Sequence, residues 1–301
     1  MKGKRLIAII GPTAVGKTGL AIRLARHFDT EIISADSRQV FKELKIGTTQ
    51  PSPEELAIVP HHFVGIKSIQ EDYDAGQYGR DALAILDQLF EKHDNVVLCG
   101  GSGLYVKAVC DGLDDMPAVP AGVREKIMAE YEERGLAWLQ KQVEETDPDY
   151  FMTVDQRNPH RLVRALELNF ATGTPIGRLR QKKKQMRPFA IVKIGLELDR
   201  AELYSRIDKR MDKLIEAGLF EEAERLYPMK DLNALQTVGY QEIFGFLEGT
   251  YDKDEAIRLL KRNSRHYAKR QLTWFRKDKE VRWFGPDQFQ EIVTFVSTLP
   301  S

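Results

Sequence analysis

A glycine-containing loop near the start of the chain, GPTAVGKT, constrains the fold more than any other feature. Gly11, Gly16, Lys17 and Thr18 match the pattern G-x-x-x-x-G-K-[ST], which forms a P-loop when a strand precedes it and a helix follows. The apolar run Leu6 to Ile10 precedes the loop, and apolar residues at helical spacing follow it. The segment therefore predicts a phosphate cradle in an α/β fold, but it does not say which phosphates are held.

The expected roles within this loop follow from its chemistry. The glycines let backbone N–H groups converge on anionic oxygens at the start of a helix, where the peptide dipoles add positive charge. Lys17 would neutralise the outer phosphate, and the Thr18 hydroxyl would join the coordination shell of a Mg²⁺ ion. The predicted phosphate-binding residues are Gly11, Pro12, Thr13, Ala14, Val15, Gly16, Lys17 and Thr18.

Composition excludes several classes of protein. The 301 residues are 42% hydrophobic and 30% charged, with 45 basic and 45 acidic side chains, which is typical of a globular chain of one or two domains. No apolar stretch has the length of a membrane span, and the first residues run directly into the predicted first strand without a signal-peptide pattern. We therefore expect a cytoplasmic protein with reduced cysteines, and we expect a monomer.

Apolar runs and helical patterns alternate over the first hundred residues, which indicates a parallel sheet with helical crossovers. The middle of the chain shows only helical patterns, among them a helix with Asn158 as N-cap, Pro159 at its first position and Gly173 beyond its end. We predict a P-loop NTPase-like core over residues 1–113 and 188–301, with an all-helical insertion over residues 114–187. The predicted strands are Leu6–Ile10, Glu31–Ser34, Val96–Cys99, Ile191–Leu198 and Val281–Phe284.

Two polar segments follow the second and third predicted strands. Asp36 lies after the second predicted strand, at the sheet edge where ligands bind in open α/β folds. Its carboxylate could bind magnesium, act as a general base or simply cap a turn. The segment CGGSGLYV, with Ser102 among glycines, follows the third predicted strand. It has no acidic residue at the strand end, which disfavours an ATP-hydrolysing motor. Cys99, at the end of that strand, is either a buried small side chain or a reactive thiol.

Basic residues cluster in three later segments. Arg206 and Arg210 lie one helical turn apart, so they either clamp an anion or pair with neighbouring acids such as Glu202. Three arginines surround the start of the Asn158-capped helix. A cationic stripe is also predicted on a helix near the end of the chain, formed by Arg258, Arg262, Arg265 and Lys269. Several such clusters in a chain of zero net charge favour a nucleic-acid partner over solvated helix faces.

Several motifs, in order along nearly the whole chain, resemble the family of bacterial tRNA dimethylallyltransferases, or IPP transferases. They are GPTAVGKT, DSRQV, IGTTQP, PHH, GGSGLY, NPHRLVRALE, VGYQEI and KRQLTWFR. The resemblance implies transfer of a dimethylallyl group from dimethylallyl diphosphate to N6 of the adenine just 3′ of the tRNA anticodon. It also implies that the P-loop holds the diphosphate of this donor with Mg²⁺.

The resemblance further assigns roles to individual residues. Asp36 would be the general base that accepts the N6 proton, and Arg206 or Arg210 would neutralise the departing diphosphate, with Lys17, Thr18 and Ser102 also in the catalytic centre. Many members of the family have threonine where this chain has Ser102, which preserves the hydroxyl. The residues implied to contact the anticodon stem-loop of tRNA are Asp36, Ser37, Arg38, Gln39, Ser102, Arg124, His160, Arg161, Leu162, Val163 and Arg164.

Three alternative functions share parts of this pattern. A small-molecule kinase would use the same P-loop with ATP, although the helical insertion and the basic stripe argue against it. An adenylate prenyltransferase of the cytokinin type would share the core and would accept AMP. An RNA-binding protein with an inactive P-loop is disfavoured because Lys17, Thr18 and Asp36 are all present.

Overall fold

The computed structural model describes residues 3–120, 122–180 and 183–299. The chain divides into two compact units. The core unit comprises residues 1–111 and 186–301, and the helical unit comprises residues 112–185. The helical unit begins and ends two residues before the bounds predicted from the sequence.

The core unit is built on a sheet of six parallel strands in the order β3-β2-β4-β1-β5-β6. This arrangement confirms the predicted α/β fold with a P-loop-like parallel sheet. The edge strand β3 was not predicted because it consists of two histidines and has no apolar run. The strands are β1 (Arg5–Ile10), β2 (Ile32–Ser34), β3 (His61–His62), β4 (Asn95–Gly100), β5 (Ala190–Leu196) and β6 (Arg282–Phe284).

Helices connect the strands and form most of the rest of the described chain. Two short 3₁₀ helices, Tyr227–Met229 and Asn233–Leu235, also occur. The α-helices are α1 (Lys17–His27), α2 (Pro53–Ile58), α3 (Ala75–Lys92), α4 (Gly103–Cys110), α5 (Val123–Thr146), α6 (Pro148–Phe151), α7 (Pro159–Thr172), α8 (Ile176–Leu179), α9 (Arg200–Glu216), α10 (Leu219–Leu226), α11 (Tyr240–Leu247), α12 (Lys253–Phe275) and α13 (Phe289–Thr298).

The sheet is buried on both faces. Alternate residues of β1 point to opposite sides, so Leu6 and Ala8 pack against α3 and α4, whereas Ile7 and Ile9 pack against α1, α9 and α13. All six residues of β1 are buried. This is why the strand reads as a continuous apolar run rather than an alternating one.

The helical unit has its own apolar core, to which α5, α6, α7 and α8 contribute. Its described residues contain no strand. The caps of α7 are as predicted: the Asn158 side chain accepts a hydrogen bond from the Arg161 N–H, and Gly173 ends the helix in the left-handed region. Helix α5 is interrupted by a kink at Gly135, which takes φ 74° within it.

The two ends of the core unit that flank the helical unit lie close together. The Arg187 guanidinium donates hydrogen bonds to the carbonyl oxygens of Val109 and Ala108, at 2.8 and 2.7 Å. On the next strand the Lys193 ammonium lies 3.1 Å from Asp111 Oδ1. The chain therefore leaves and re-enters the core unit at neighbouring points. Among the described helices, none is both long enough and apolar enough to cross a membrane.

Candidate active site at the carboxyl edge of the sheet

The P-loop joins the central strand β1 to the first residue of α1. Glycine is required at Gly11, because a Cβ there would lie 2.7 Å from the carbonyl oxygen of Leu196 on the adjacent strand, and the residue has φ 148°. Gly16 is the N-cap of α1 and has φ 106°. The loop can therefore pass closely over the sheet and present its backbone N–H groups at the helix start.

A cavity of about 340 Å³ opens at this edge of the sheet. It brings together segments far apart in sequence, and all of them belong to the core unit. The lining includes Thr13, Ala14 and Gly16–Gly19 of the P-loop region, Asp36, Arg38 and Gln39 after β2, Gly47–Thr49, Cys99–Gly101 after β4, Arg210 of α9, Thr237–Tyr240, and Ser264, Tyr267 and Gln271 of α12.

Lys17 lies in the cavity with its ammonium 2.7 Å from the carbonyl oxygen of Pro12, to which it donates a hydrogen bond. Burial, opposed by Cys99, reinforced by Arg210 and opposed again by Asp36, lowers the pKa of Lys17 to about 8. A diphosphate in the cradle would supply a negatively charged partner for this ammonium group.

The Asp36 carboxylate uses one of its oxygens to shape the turn after β2. Oδ1 accepts hydrogen bonds from the backbone N–H groups of Arg38 and Gln39, at 2.9 and 3.3 Å. Within the described part of the chain Oδ2 has no hydrogen-bond partner. The turn-cap interpretation and the general-base interpretation are thus compatible, because each uses a different oxygen.

Ser102 and Gln39 hold this turn against its neighbours. The Ser102 hydroxyl accepts a hydrogen bond from the Ser37 backbone N–H at 2.9 Å and donates one to the Ser37 hydroxyl at 3.1 Å. The Gln39 amide donates hydrogen bonds to the carbonyl oxygens of Thr48 and Thr49. Ser102 and Ser37 do not line the cavity, so their contacts place Asp36 and its neighbours.

The structure separates the roles of the two α9 arginines. Arg210 lines the cavity and donates hydrogen bonds to the hydroxyls of Thr13 and Thr49. Arg206 instead forms an ion pair with Glu202 at 2.8 Å and does not line the cavity. Of this pair, Arg210 is therefore the residue placed to meet an anion. Arg38 also lines the cavity, and burial lowers the pKa of both Arg38 and Arg210.

Two residues of α12 belong to the site although the sequence pattern indicated no role for them. The Gln271 side chain accepts a hydrogen bond from the Thr13 backbone N–H at 2.8 Å and donates one to the Gly101 carbonyl at 3.0 Å. It joins the P-loop to the loop after β4. Tyr267 lines the same cavity, where burial, followed by the charge of Asp36, raises its pKa to about 12. The motif KRQLTWFR was the available signal, since it contains Gln271.

Cys99 lies at the end of β4 and also lines the cavity. Burial raises the pKa of its thiol to about 11, although the nearby Lys17 ammonium opposes this effect. The thiol is therefore protonated at neutral pH, which favours the interpretation of Cys99 as a packing residue over that of a nucleophile.

The motifs IGTTQP and VGYQEI meet at one buried carboxylate. Glu222 of α10 is 3% exposed. It accepts hydrogen bonds from the backbone N–H groups of Lys45, Ile46 and Gly47, at 3.1, 2.9 and 2.9 Å, and from the Tyr240 hydroxyl at 2.7 Å. These contacts fix the loop that carries Thr48 and Thr49 into the cavity wall.

The remaining residues implied to contact tRNA lie in the helical unit. The side chains of Arg124, His160 and Arg161 are exposed, and that of Arg164 is 44% exposed. Leu162 and Val163 are different, because they are 0 and 1% exposed in the apolar core of this unit. These two side chains hold α7 in place and do not form a surface for RNA, which corrects their assignment as contact residues.

Half of the predicted basic stripe on α12 is engaged in ion pairs. Arg258 pairs with Glu255 at 2.6 Å, and Arg265 pairs with Asp208 at 2.5 Å. Arg262 and Lys269 are exposed and form no ion pair with any residue that the structure describes. The charge available to a polyanion on this helix is therefore smaller than the sequence pattern indicates.

The oxygen-bearing side chains in the cavity suit a magnesium ion that is bound by only one or two protein ligands. No group of three or more His, Cys, Asp or Glu side chains arranged for a metal occurs among the described residues. Thr18 and Asp36 both line the cavity. Mg²⁺ typically keeps several waters and binds substrate phosphates with only one or two protein ligands, so these residues fit that ion.

Sequence comparisons place the chain beside one family. The family model described as IPP transferase matches residues 39–278. The chain is 52% identical over 293 residues to the tRNA dimethylallyltransferase of Cytophaga hutchinsonii, covering 97% of this chain and 96% of the relative. It is 53% identical over 283 residues to that of Christiangramia forsetii, covering 94% of each.

Solved structures give the same grouping. The full-length tRNA isopentenylpyrophosphate transferase of Bacillus halodurans is 36% identical, with a TM-score of 0.72 and coverage of 98% of this chain and 96% of that one. A eukaryotic dimethylallyltransferase acting on tRNA has a TM-score of 0.78 at 23% identity, covering 98% of this chain and 77% of that one. At that identity the second likeness concerns the fold alone.

Proposed function

The chain belongs to the IPP transferase family, and from this we propose that it is a tRNA dimethylallyltransferase. The enzyme transfers a dimethylallyl group from dimethylallyl diphosphate to N6 of the adenine just 3′ of the anticodon. The observation that carries the proposal is the cavity itself, which is lined by the phosphate cradle with Lys17, by Arg210 and by Asp36.

The cradle addresses the leaving group. When N6 attacks the allylic carbon, the bond from that carbon to the diphosphate oxygen breaks, and negative charge develops on the departing diphosphate. Fixed N–H groups, Lys17 and Arg210 would stabilise this charge more strongly in the transition state than in the ground state, which accelerates the chemical step.

Asp36 addresses the nucleophile. The exocyclic amine of adenine is weakly basic, so its proton must leave as the new C–N bond forms. Oδ2 of Asp36 would accept that proton while Oδ1 keeps its hydrogen bonds to Arg38 and Gln39. A carboxylate whose orientation is fixed in this way needs little reorganisation to act as a base.

Mg²⁺ is the cofactor that we propose, held by the Thr18 hydroxyl and by oxygens of the donor. When bound, it would neutralise part of the diphosphate charge. Lys17, Arg210 and the N–H groups of the P-loop would orient the donor around it.

The target adenine of the acceptor tRNA must leave its base stack. An adenine in an anticodon loop must be extruded to reach a cavity, which costs a few kcal/mol that contacts elsewhere must offset. We assign these contacts to exposed basic residues, among them Arg124, His160, Arg161 and Arg164 of the helical unit and Arg262 and Lys269 of α12. We further propose a monomer, acting in the cytoplasm.

One experiment tests the proposal against its rivals. The protein is incubated with labelled dimethylallyl diphosphate, Mg²⁺ and either unmodified tRNA or AMP, and a parallel reaction contains ATP and a set of small-molecule kinase acceptors. Label in the tRNA alone is expected. Label in AMP would indicate a cytokinin-type prenyltransferase, phosphoryl transfer from ATP would indicate a kinase, and tRNA binding without any transfer would indicate an RNA-binding protein.

A further inference from the structure

A buried carboxylate in the helical unit contacts two exposed arginines. Glu167 of α7 is 3% exposed. Its Oε1 accepts a hydrogen bond from Arg124 Nη1 at 2.6 Å, and its Oε2 accepts one from Arg164 Nη1 at 3.0 Å. The side chains of Arg124 and Arg164 remain 55 and 44% exposed. One anion inside the unit therefore holds two cations at its surface.

The charges at this cluster do not cancel. Two guanidinium groups facing one carboxylate leave a net charge of one positive unit. Without Glu167 the two arginines would repel each other and spread apart. With it they are held side by side, each through one of five N–H donors, so most donors stay available for another acceptor.

The Glu167 end of the cluster is held in a buried position. Glu167 lies on the buried side of α7, between Leu166 and Leu168, which are both fully buried in the apolar core of the unit. Arg124 comes from the first turn of α5, and Arg164 lies one turn before Glu167 on α7. The carboxylate therefore sets the distance between side chains of two different helices.

We infer that Glu167 is a positioning residue that orders Arg124 and Arg164 as a ready-made site for phosphates of the tRNA backbone. This inference rests on the proposed function, since it names how that substrate is held. Arginine side chains are flexible, and ordering them before binding removes a cost that each would otherwise impose on the complex. Their planar forks suit phosphate oxygens.

Positioning by Glu167 and a simple charge effect predict opposite changes in tRNA affinity. Glu167→Gln removes a negative charge, so general electrostatics predicts tighter binding of RNA and a steeper dependence on salt. Loss of positioning predicts the opposite. We expect the Kd for tRNA to rise about fivefold to a hundredfold, the range that corresponds to ordering two long side chains, and the salt slope to fall by about 1.

The matched control is Glu125→Gln. Glu125 is exposed beside Arg124 and forms no ion pair with the residues that the structure describes, so this variant removes the same charge without removing a hydrogen bond to either guanidinium. Its Kd should equal or fall below that of the parent. If Glu167→Gln matched this control, the positioning role would be refuted. Glu167→Asp keeps the charge but retracts the carboxylate, so it should also weaken tRNA binding; unchanged binding would equally refute the role.

A second measurement separates positioning from a purely structural role. Glu167→Gln is combined with Arg124→Ala and Arg164→Ala, and tRNA binding is measured below the melting temperature of every variant. If Glu167 acts through the arginines, adding Glu167→Gln to the variant that already lacks both arginines alters the Kd for tRNA by less than about twofold. The same fold-change as in the parent background would show a structural effect and overturn the inference. A parent protein that prenylates tRNA in the assay above keeps this outcome separate from failure of the proposed function.

Discussion

At the scale of single residues, Asp36 shows how one side chain can have two roles. Oδ1 caps the turn through the N–H groups of Arg38 and Gln39, whereas Oδ2 faces no partner among the described residues. Asparagine would preserve the cap, because its side-chain oxygen accepts the same hydrogen bonds. It could not accept a proton from N6.

Asp36→Asn should therefore reduce the single-turnover rate of prenylation by about 10² to 10⁴, the usual contribution of a positioned general base. Equilibrium binding of tRNA should change by less than about tenfold, since the turn is retained. Rapid-quench measurement of label transfer and a filter-binding assay give the two quantities. A variant that prenylates within a few-fold of the parent rate would remove Asp36 from the mechanism.

Lys17 gives a prediction about pH and stability. Its folded-state pKa is about 8, below the ordinary value of 10.5, so between these pH values the unfolded chain binds more protons than the folded one. The contribution of Lys17 to the free energy of unfolding should then rise with pH across this window. Lys17→Met lacks this titration, and it also removes a partly buried charge.

Urea unfolding of both proteins at several pH values checks this. Near neutral pH, Lys17→Met should be the more stable protein, and the difference should shrink from pH 8 to pH 10.5. The same variant should bind dimethylallyl diphosphate weakly but tRNA normally, because Lys17 faces the cradle. A stability difference independent of pH would contradict the lowered pKa.

At the scale of elements, the loop from Lys45 to Thr49 depends on α10 and α11. Glu222 accepts three backbone hydrogen bonds from this loop and a fourth from Tyr240. Thr49 in turn accepts hydrogen bonds from Arg210. The orientation of Arg210 in the cavity therefore depends on a carboxylate on another helix.

Glu222→Gln should destabilise the protein, because an amide presents donors to groups that are themselves donors. A buried donor left unpaired costs about 1 to 3 kcal/mol, whereas Tyr240→Phe removes a single hydrogen bond and should cost about 1 kcal/mol. Thermal unfolding of both variants is compared with Glu221→Gln, which changes an exposed neighbour. Equal stability of the three variants would contradict the role given to Glu222.

Helix α12 carries a second prediction at this scale. Since Arg258 and Arg265 are already paired with acids, the charge offered to RNA should come mainly from Arg262 and Lys269. Each phosphate contact contributes about 0.7 to 0.9 to the log-log salt slope.

The double variant Arg262→Gln, Lys269→Gln should flatten the salt dependence of tRNA affinity by about 1.4 to 1.8. Arg258→Gln, on the same face of the helix, should leave it nearly unchanged. Titrations of tRNA at several salt concentrations measure the slopes. A parent-like slope in the double variant would mean that this face is simply solvated.

At the scale of the whole molecule, the parts that could be predicted are those with a local signal. The P-loop is a contiguous motif, the buried strands are apolar runs, and the caps of α7 are read from Asn158, Pro159 and Gly173. Glu222 could not be found in this way, because its partners lie in other segments of the chain and nothing nearby distinguishes it from a surface residue. The motif KRQLTWFR contains Gln271 but does not indicate its partners. The same reason explains the assignment of Leu162 and Val163 to the RNA surface, since a contiguous motif does not reveal which side chains face inward.

The division into two units predicts that the core unit can stand alone. It has its own apolar clusters on both faces of the sheet, and its two cut ends lie close together at Arg187 and Val109. Replacing residues 112–185 with a short Gly-Ser linker should leave a folded protein that still binds dimethylallyl diphosphate. The salt slope of tRNA binding should fall by about 2, through the loss of Arg124, Arg161 and Arg164.

Circular dichroism, donor titration and tRNA titration of the shortened protein measure these three properties. Loss of donor binding in a folded protein would show that the cavity depends on the helical unit.

The meeting of the two ends also bears on how such a protein could arise. A segment that leaves and re-enters a scaffold at neighbouring points can be gained or exchanged by a single insertion at one surface loop, without reordering the strands. An ancestral phosphate-binding domain could thus acquire a new macromolecular substrate in one genetic event. Its catalytic cavity and its recognition module would then be free to diverge at different rates.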